Sequence, residues 1–205
     1  MAKLFQNTWF KCITVLLLIA CISGGLLAIL NELLYVSAEE RTDRAIKKIY
    51  GEIKEYSVLL DEDQGDNAWT YQDGEQPLGE ISKIYTVGDV NADSYDMLFK
   101  SEGSKGYKNG TITVWVKVVI TKTEQPKIDK VILESYKKQT LMSKLSDGYY
   151  AKFTDVTVQY MNGELFDADV ETGNNPVSGA TYSAQAGCNA VNAVIKCIET
   201  KGWEN

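Results

Sequence analysis

The chain of 205 residues contains no histidine. Histidine is the usual general base near neutral pH and a common ligand of zinc and haem iron. Ser-His-Asp hydrolysis, His-ligated haem and His-containing zinc sites are therefore excluded within this chain. Cysteine is scarce as well: there are four, and no C-x-x-C pair, so the pattern expected of an iron–sulfur cluster or a thioredoxin-like dithiol is missing. Cys188 and Cys197, nine positions apart, would sit about 13 Å apart along a helix axis and on opposite faces, too far to bridge. Cys12 and Cys21 share that spacing, and all four read as small packing residues. No G-x-G-x-x-G follows a strand and no G-x-S-x-G elbow is present, which argues against NAD binding and against a serine hydrolase. Basic residues are the minority, 21 against 28 acids, so nucleic acid is not the expected partner. Residues 61–100 hold ten acids and two lysines. Such a face is either simply solvated or turned toward cations or a basic neighbour.

What the sequence does have begins with one apolar run. Ile13 to Leu30 carries no charge, and at about 1.5 Å per residue it spans roughly 27 Å, close to the hydrocarbon thickness of a bilayer. Trp9, Phe10 and Tyr35 stand as interfacial anchors. Lys3 and Lys11 precede the run and Glu32, Glu39 and Glu40 follow it, so the N-terminus is expected in the cytoplasm and the rest outside it. Two processing signals compete with a permanent anchor: Val36-Ser37-Ala38 for signal peptidase and Leu18-Ile19-Ala20-Cys21 as a lipobox. The expected organisation is a cytoplasmic N-terminus (1–12), a transmembrane helix (13–36), a stalk helix (37–60) and one extracytoplasmic domain (61–205).

In the stalk, Ala45, Ile46, Ile49, Ile53, Val58 and Leu59 form an imperfect helical stripe. Residues 61–79 are acidic and turn-rich, with a short strand near Trp69. The apolar period then becomes two. Strands are expected at Ile81–Val87, Tyr95–Lys100, Thr111–Lys122, Ile128–Tyr136, Val156–Tyr160 and Leu165–Val170, with turns at Gln125-Pro126 and Asn162-Gly163. Leu141–Phe153 reads as a short helix or lid. A C-terminal helix from about Ser183 to Glu199 carries the stripe Cys188, Val191, Val194, Ile195 and Ile198. The fold class is α+β: an antiparallel sheet closed by this helix.

Just before that helix stand Asn174-Asn175-Pro176, a turn, and then Ser178, Gly179, Ala180 and Thr181, small residues that leave room for a bulky group. The first turn of the helix has no acid. Its unpaired N–H groups would hold an anion on or beside Thr181, assisted by the hydroxyls of Ser178 and Ser183. Alternatively, Thr181 or Ser183 is an N-cap.

The segment N-P-V-S-G-A-T-Y-S resembles the flavinylation motif D-x-x-(S/T)-G-A-T of the FMN-binding subunits of the Rnf and sodium-pumping NADH:quinone oxidoreductase complexes. The N-terminal span ending in Asn31 and Glu32, the strand entry around Gly106, Tyr107, Asn109 and Gly110, and the terminal helix follow one another as in the Rnf G subunit. The resemblance implies FMN bound covalently through a phosphoester to Thr181, attached by a flavin transferase that uses FAD. It also implies an electron-relay role among the other membrane and flavoprotein subunits of an ion-translocating ferredoxin:NAD oxidoreductase. Asn175 stands where the motif has aspartate. Gln139-Thr140-Leu141-Met142-Ser143 occupies the place of the family's E-T-P-G-L-G loop, so Thr140, Leu141 and Met142, with Tyr182, are the expected ring contacts. Tyr107, Trp115, Tyr136, Tyr149 and Tyr150 are further aromatics within reach of such a ring or part of the core, and Lys144 either meets the phosphate or is solvated. No catalytic residue or metal ligand is expected in this chain. The alternative function is a membrane-anchored structural or binding protein, pilin-like or a lipoprotein, without flavin.

Overall fold

The computed structural model describes residues 8–34, 36–145, 147–158, 165–168 and 180–201. The chain divides into two units at Arg41/Thr42. The first holds helix α1, Thr8–Leu34, whose stretch Lys11–Leu33 has a mean hydropathy of 2.7 and no buried position. That length and exposure suit a membrane span, and the location near the N-terminus equally suits a signal sequence.

Among the described residues the second unit is an antiparallel sheet of seven strands with a helix on each face. The strands are β1 (Tyr56–Asp61), β2 (Trp69–Asp73), β3 (Gln76–Val87), β4 (Ser94–Gly103), β5 (Thr111–Thr121), β6 (Lys127–Lys137) and β7 (Val156–Thr157). They lie in the order β1-β3-β4-β5-β6-β7, with β2 also paired to β3. Alternation drives this arrangement. Ile112, Val114, Val116 and Val118 of β5 point into the main core with Phe99, Met97, Ile84 and Ile81 from the neighbouring strands. Helix α4, Thr181–Lys201, covers that face with Ala186, Ala190, Val191, Val194 and Ile198 among its buried residues. The other face presents Tyr85, Leu98 and Trp115 to Ala45, Ile46 and Ile49 of helix α2, Ala38–Tyr50. The short helix α3, Asp147–Tyr150, and the 3-10 turns Met142–Lys144 and Ala151–Phe153 fill the stretch expected to be helix or lid.

Two expectations are corrected. The stalk helix does not reach Leu60. It ends at Tyr50, where Gly51 takes a left-handed φ of 84° and its N–H bonds the Lys47 carbonyl at 2.8 Å, a glycine stop. Ile53, Val58 and Leu59 are exposed, and Val58 and Leu59 belong to β1, which the acidic stretch from Asp61 joins to a β2–β3 hairpin. Residues 165–168 are not a strand. Phe166 is held by a side chain, its N–H donating to Asn192 Oδ1 and its carbonyl accepting from Asn192 Nδ2, both at 2.9 Å. The Asn162-Gly163 turn lies outside the described residues.

Candidate functional site

Helix α4 sits close to the sheet because glycine lets it. Gly79 and Gly103 are cross-strand partners, and a Cβ on Gly103 would lie 1.9 Å from the Ala186 carbonyl oxygen and 2.4 Å from the Ala190 nitrogen. Ser101 Oγ adds a 2.7 Å bond to the Ala190 carbonyl. From the other side Tyr149 Oη donates to the Ala184 carbonyl at 2.9 Å, with its ring 3.4 Å from where a Gly187 Cβ would be. The N-terminal turn of α4 is therefore fixed in place on a rigid base.

At that turn Thr181 is exposed and Ala180 buried, and the Ala180 carbonyl accepts the Ala184 N–H at 2.9 Å. The turn contains no acid, so its unpaired N–H groups and helix dipole favour an anion there. Thr181 and Tyr182 border two clefts. One, of about 220 Å³, is lined by Tyr107, Thr140, Leu141, Ala180, Thr181, Tyr182 and Ser183. The other, of about 790 Å³, is lined by Tyr71, Lys105, Asp167 and Gln185 among others, and lies within the range of about 300–1,000 Å³ usual for small-molecule sites.

The structure thus brings Thr140, Leu141, Ala180, Thr181, Tyr182 and Ser183 together. Met142 does not line either cleft and packs against the main core. Ser178, Gly179 and the Asn174–Pro176 turn lie outside the described residues. Ser183 lines the smaller cleft but is buried, and its hydroxyl donates to Gln139 Oε1 at 2.6 Å. Of the aromatics, Tyr182, Tyr136 and Tyr107 are exposed, whereas Trp115, Tyr149 and Tyr150 are core residues.

Sequence reasoning placed Gln139 in the loop after β6 but missed its role. It is buried, and besides Ser183 its Oε1 accepts the Tyr107 N–H at 3.2 Å while its Nε2 donates to the Lys137 carbonyl at 3.2 Å. One amide thereby joins the 106–110 turn, the loop after β6 and the start of α4. Gly106 and Gly110 are small because Gln139 needs their space: a Cβ on either would come within 2.5 Å of Nε2. The sequence signals were Gly106 and Gly110 around Tyr107 and the place of Gln139 at the head of its loop.

Neither a family model nor a curated protein matches this chain. Function is accordingly argued from the site.

Proposed function

We propose that this chain is an electron-relay subunit of the Rnf type, carrying FMN through a phosphoester on Thr181. In this reading α1 anchors it in the cytoplasmic membrane and its C-terminal domain lies outside the cytoplasm. The observation that carries the reading is the setting of Thr181: an exposed hydroxyl in the acid-free first turn of a 21-residue helix, beside two clefts. An N-cap needs none of that space. The residues fit the group. Helix N–H groups meet a phosphate, Ala180 leaves room for it, and Leu141 and Tyr182, 43% and 68% exposed, offer apolar and aromatic surface to a planar ring.

When bound, the flavin supplies transfer of one or two electrons by its own chemistry. The chain supplies attachment and placement. Under a flavin transferase the Thr181 oxygen bonds to the FMN phosphorus of FAD, the pyrophosphate bond breaks, AMP leaves and the hydroxyl proton is lost. Gln139 holds Ser183 and the Tyr107 turn, so the tether leaves from a fixed point. The chain would work with the other membrane and flavoprotein subunits of such a complex, as a redox subunit without a complete catalytic site.

Co-expression with a flavin transferase tests this. The wild-type band is expected to fluoresce on a denaturing gel and the Thr181→Ala band to be dark. A dark wild type beside an active transferase would overturn the reading in favour of a flavin-free anchored protein.

A further inference from the structure

The two clefts that Thr181 borders differ in what they can hold. The smaller, at about 220 Å³, falls below the range of about 300–1,000 Å³ in which pockets enclose a drug-sized ligand, and the larger, at about 790 Å³, lies within it. Tyr182 lines both. A flavin lying on Tyr182 therefore has room for its far end only in the larger cleft.

The wall of that cleft is fixed by the protein's own bonds. Asn192 holds Phe166. Gln185 Oε1 accepts the Ala168 N–H at 3.2 Å, its Nε2 donates to Asn189 Oδ1 at 3.2 Å, and Asn189 Nδ2 donates to the Ser104 carbonyl at 2.9 Å. Ser104 is also tied to the sheet: its N–H and Oγ donate to the Leu78 carbonyl at 2.8 and 3.0 Å, and Oγ reaches the Pro77 carbonyl at 2.7 Å. Two residues on, the Gly106 N–H bonds the Gly110 carbonyl at 2.9 Å. Between these two fixed points Lys105 takes a left-handed φ of 64°, a strain that gathers where function needs it. Beyond Thr181 and Tyr182, three polar side chains of the lining make no hydrogen bond or ion pair among the described residues: Tyr71 and Asp73 from β2, and Lys105. Burial, then the nearby Asp73 carboxylate, hold the Tyr71 phenol above its ordinary pKa, so near neutral pH it keeps its proton. The three thus offer a donor, an acceptor and a donor. The pyrimidine edge of an isoalloxazine is the complement: a carbonyl, an N–H and a carbonyl.

We propose that the larger cleft takes the pyrimidine end of the flavin, Asp73 accepting from its N3–H while Tyr71 and Lys105 donate to the two flanking carbonyls. The choice of ligand rests on the Thr181 reading. The carboxamides of α4 cannot replace these three, because each already bonds backbone or another amide.

The test is equilibrium dialysis of full-length Thr181→Ala in detergent, which has no tether, against free FMN. Saturable binding is expected, weakened about tenfold or more by Asp73→Ala or Lys105→Ala, as for the loss of a hydrogen bond to a charged group. 3-Methyl-FMN, which has no hydrogen on N3, is expected to bind about tenfold less tightly than FMN to Thr181→Ala. Once Asp73 is also alanine the two ligands should bind alike, a coupling that misfolding does not produce. No binding, equal affinities of Thr181→Ala for the two flavins, or indifference to both alanine variants would overturn the assignment. So would competition by uridine, which has the same edge without the three rings, at the affinity of FMN. Flavin transfer to the wild type separates the two readings. A fluorescent wild-type band beside any of those failures removes the cleft assignment alone, whereas a dark band overturns the Thr181 reading and this inference with it.

Discussion

At the scale of single residues, Gln139 and Lys83 matter most to the account. Gln139 organises the site without facing a ligand. Gln139→Ala strands the buried Ser183 hydroxyl and the Tyr107 N–H, which costs about 1–3 kcal/mol. Urea denaturation is expected to show that loss, and flavin incorporation to fall with it, while Leu141→Ala leaves stability nearly unchanged. Lys83 is buried against Asp61 at 3.0 Å and reaches Asp63 at 2.7 Å, and Asp61 also accepts from Tyr85 Oη at 2.8 Å. Burial pulls the Lys83 pKa down, but the hydrogen bonds it donates to Asp63 and Asp61 outweigh it and raise the value above 10.5. A lysine raised in the folded state contributes its full stabilisation below 10.5 and loses it only as pH climbs through the folded value. Lys83→Met leaves Asp61 buried without its cation, a loss of about 3–5 kcal/mol. That loss is expected to be the same at about pH 7 and about pH 9, both on the stable side of the titration. The sequence signalled Thr181 and Ala180 because motif and helix start coincide there. It placed Gln139 in the loop before the site without its bonding role and gave no hint of Lys83; their partners are 44 and 22 positions away along the chain.

At the scale of elements, the clear periods were the legible ones. Strand β5 and helix α4 fall within a residue or two of expectation, since each has one face wholly in the core. The stalk helix overran by ten residues because a loose apolar stripe continued past Gly51, and the left-handed turn there, not the stripe, decides the boundary. Residues 165–168 looked like a strand because side-chain amides holding a backbone leave no trace in hydrophobic pattern. The close seating of α4 was also invisible, because a glycine in a strand reads only as weakness until its neighbour is known. Gly103→Ala must drive α4 off β4, and a loss of about 3 kcal/mol or more is expected in thermal melts. Gly51→Ala, which meets no neighbour but must adopt φ of 84°, should cost only about 1–2 kcal/mol. Equal losses at the two positions would mean that α4 is not packed as described.

At the scale of the whole molecule, an apolar helix precedes one α+β unit in a chain of net charge −7. If α1 is a permanent anchor, the expressed chain should stay with membranes through alkaline carbonate extraction and keep its N-terminal peptide. Release with loss of that peptide would assign α1 to a signal sequence. The central claim, however, is chemical. Peptide mass mapping of the chain purified from cells expressing a flavin transferase is expected to find the mass of FMN less water on the peptide that contains Thr181, with fragment ions placing it on that residue and no adduct in Thr181→Ala. An unmodified peptide, or an adduct retained in Thr181→Ala, would contradict the account.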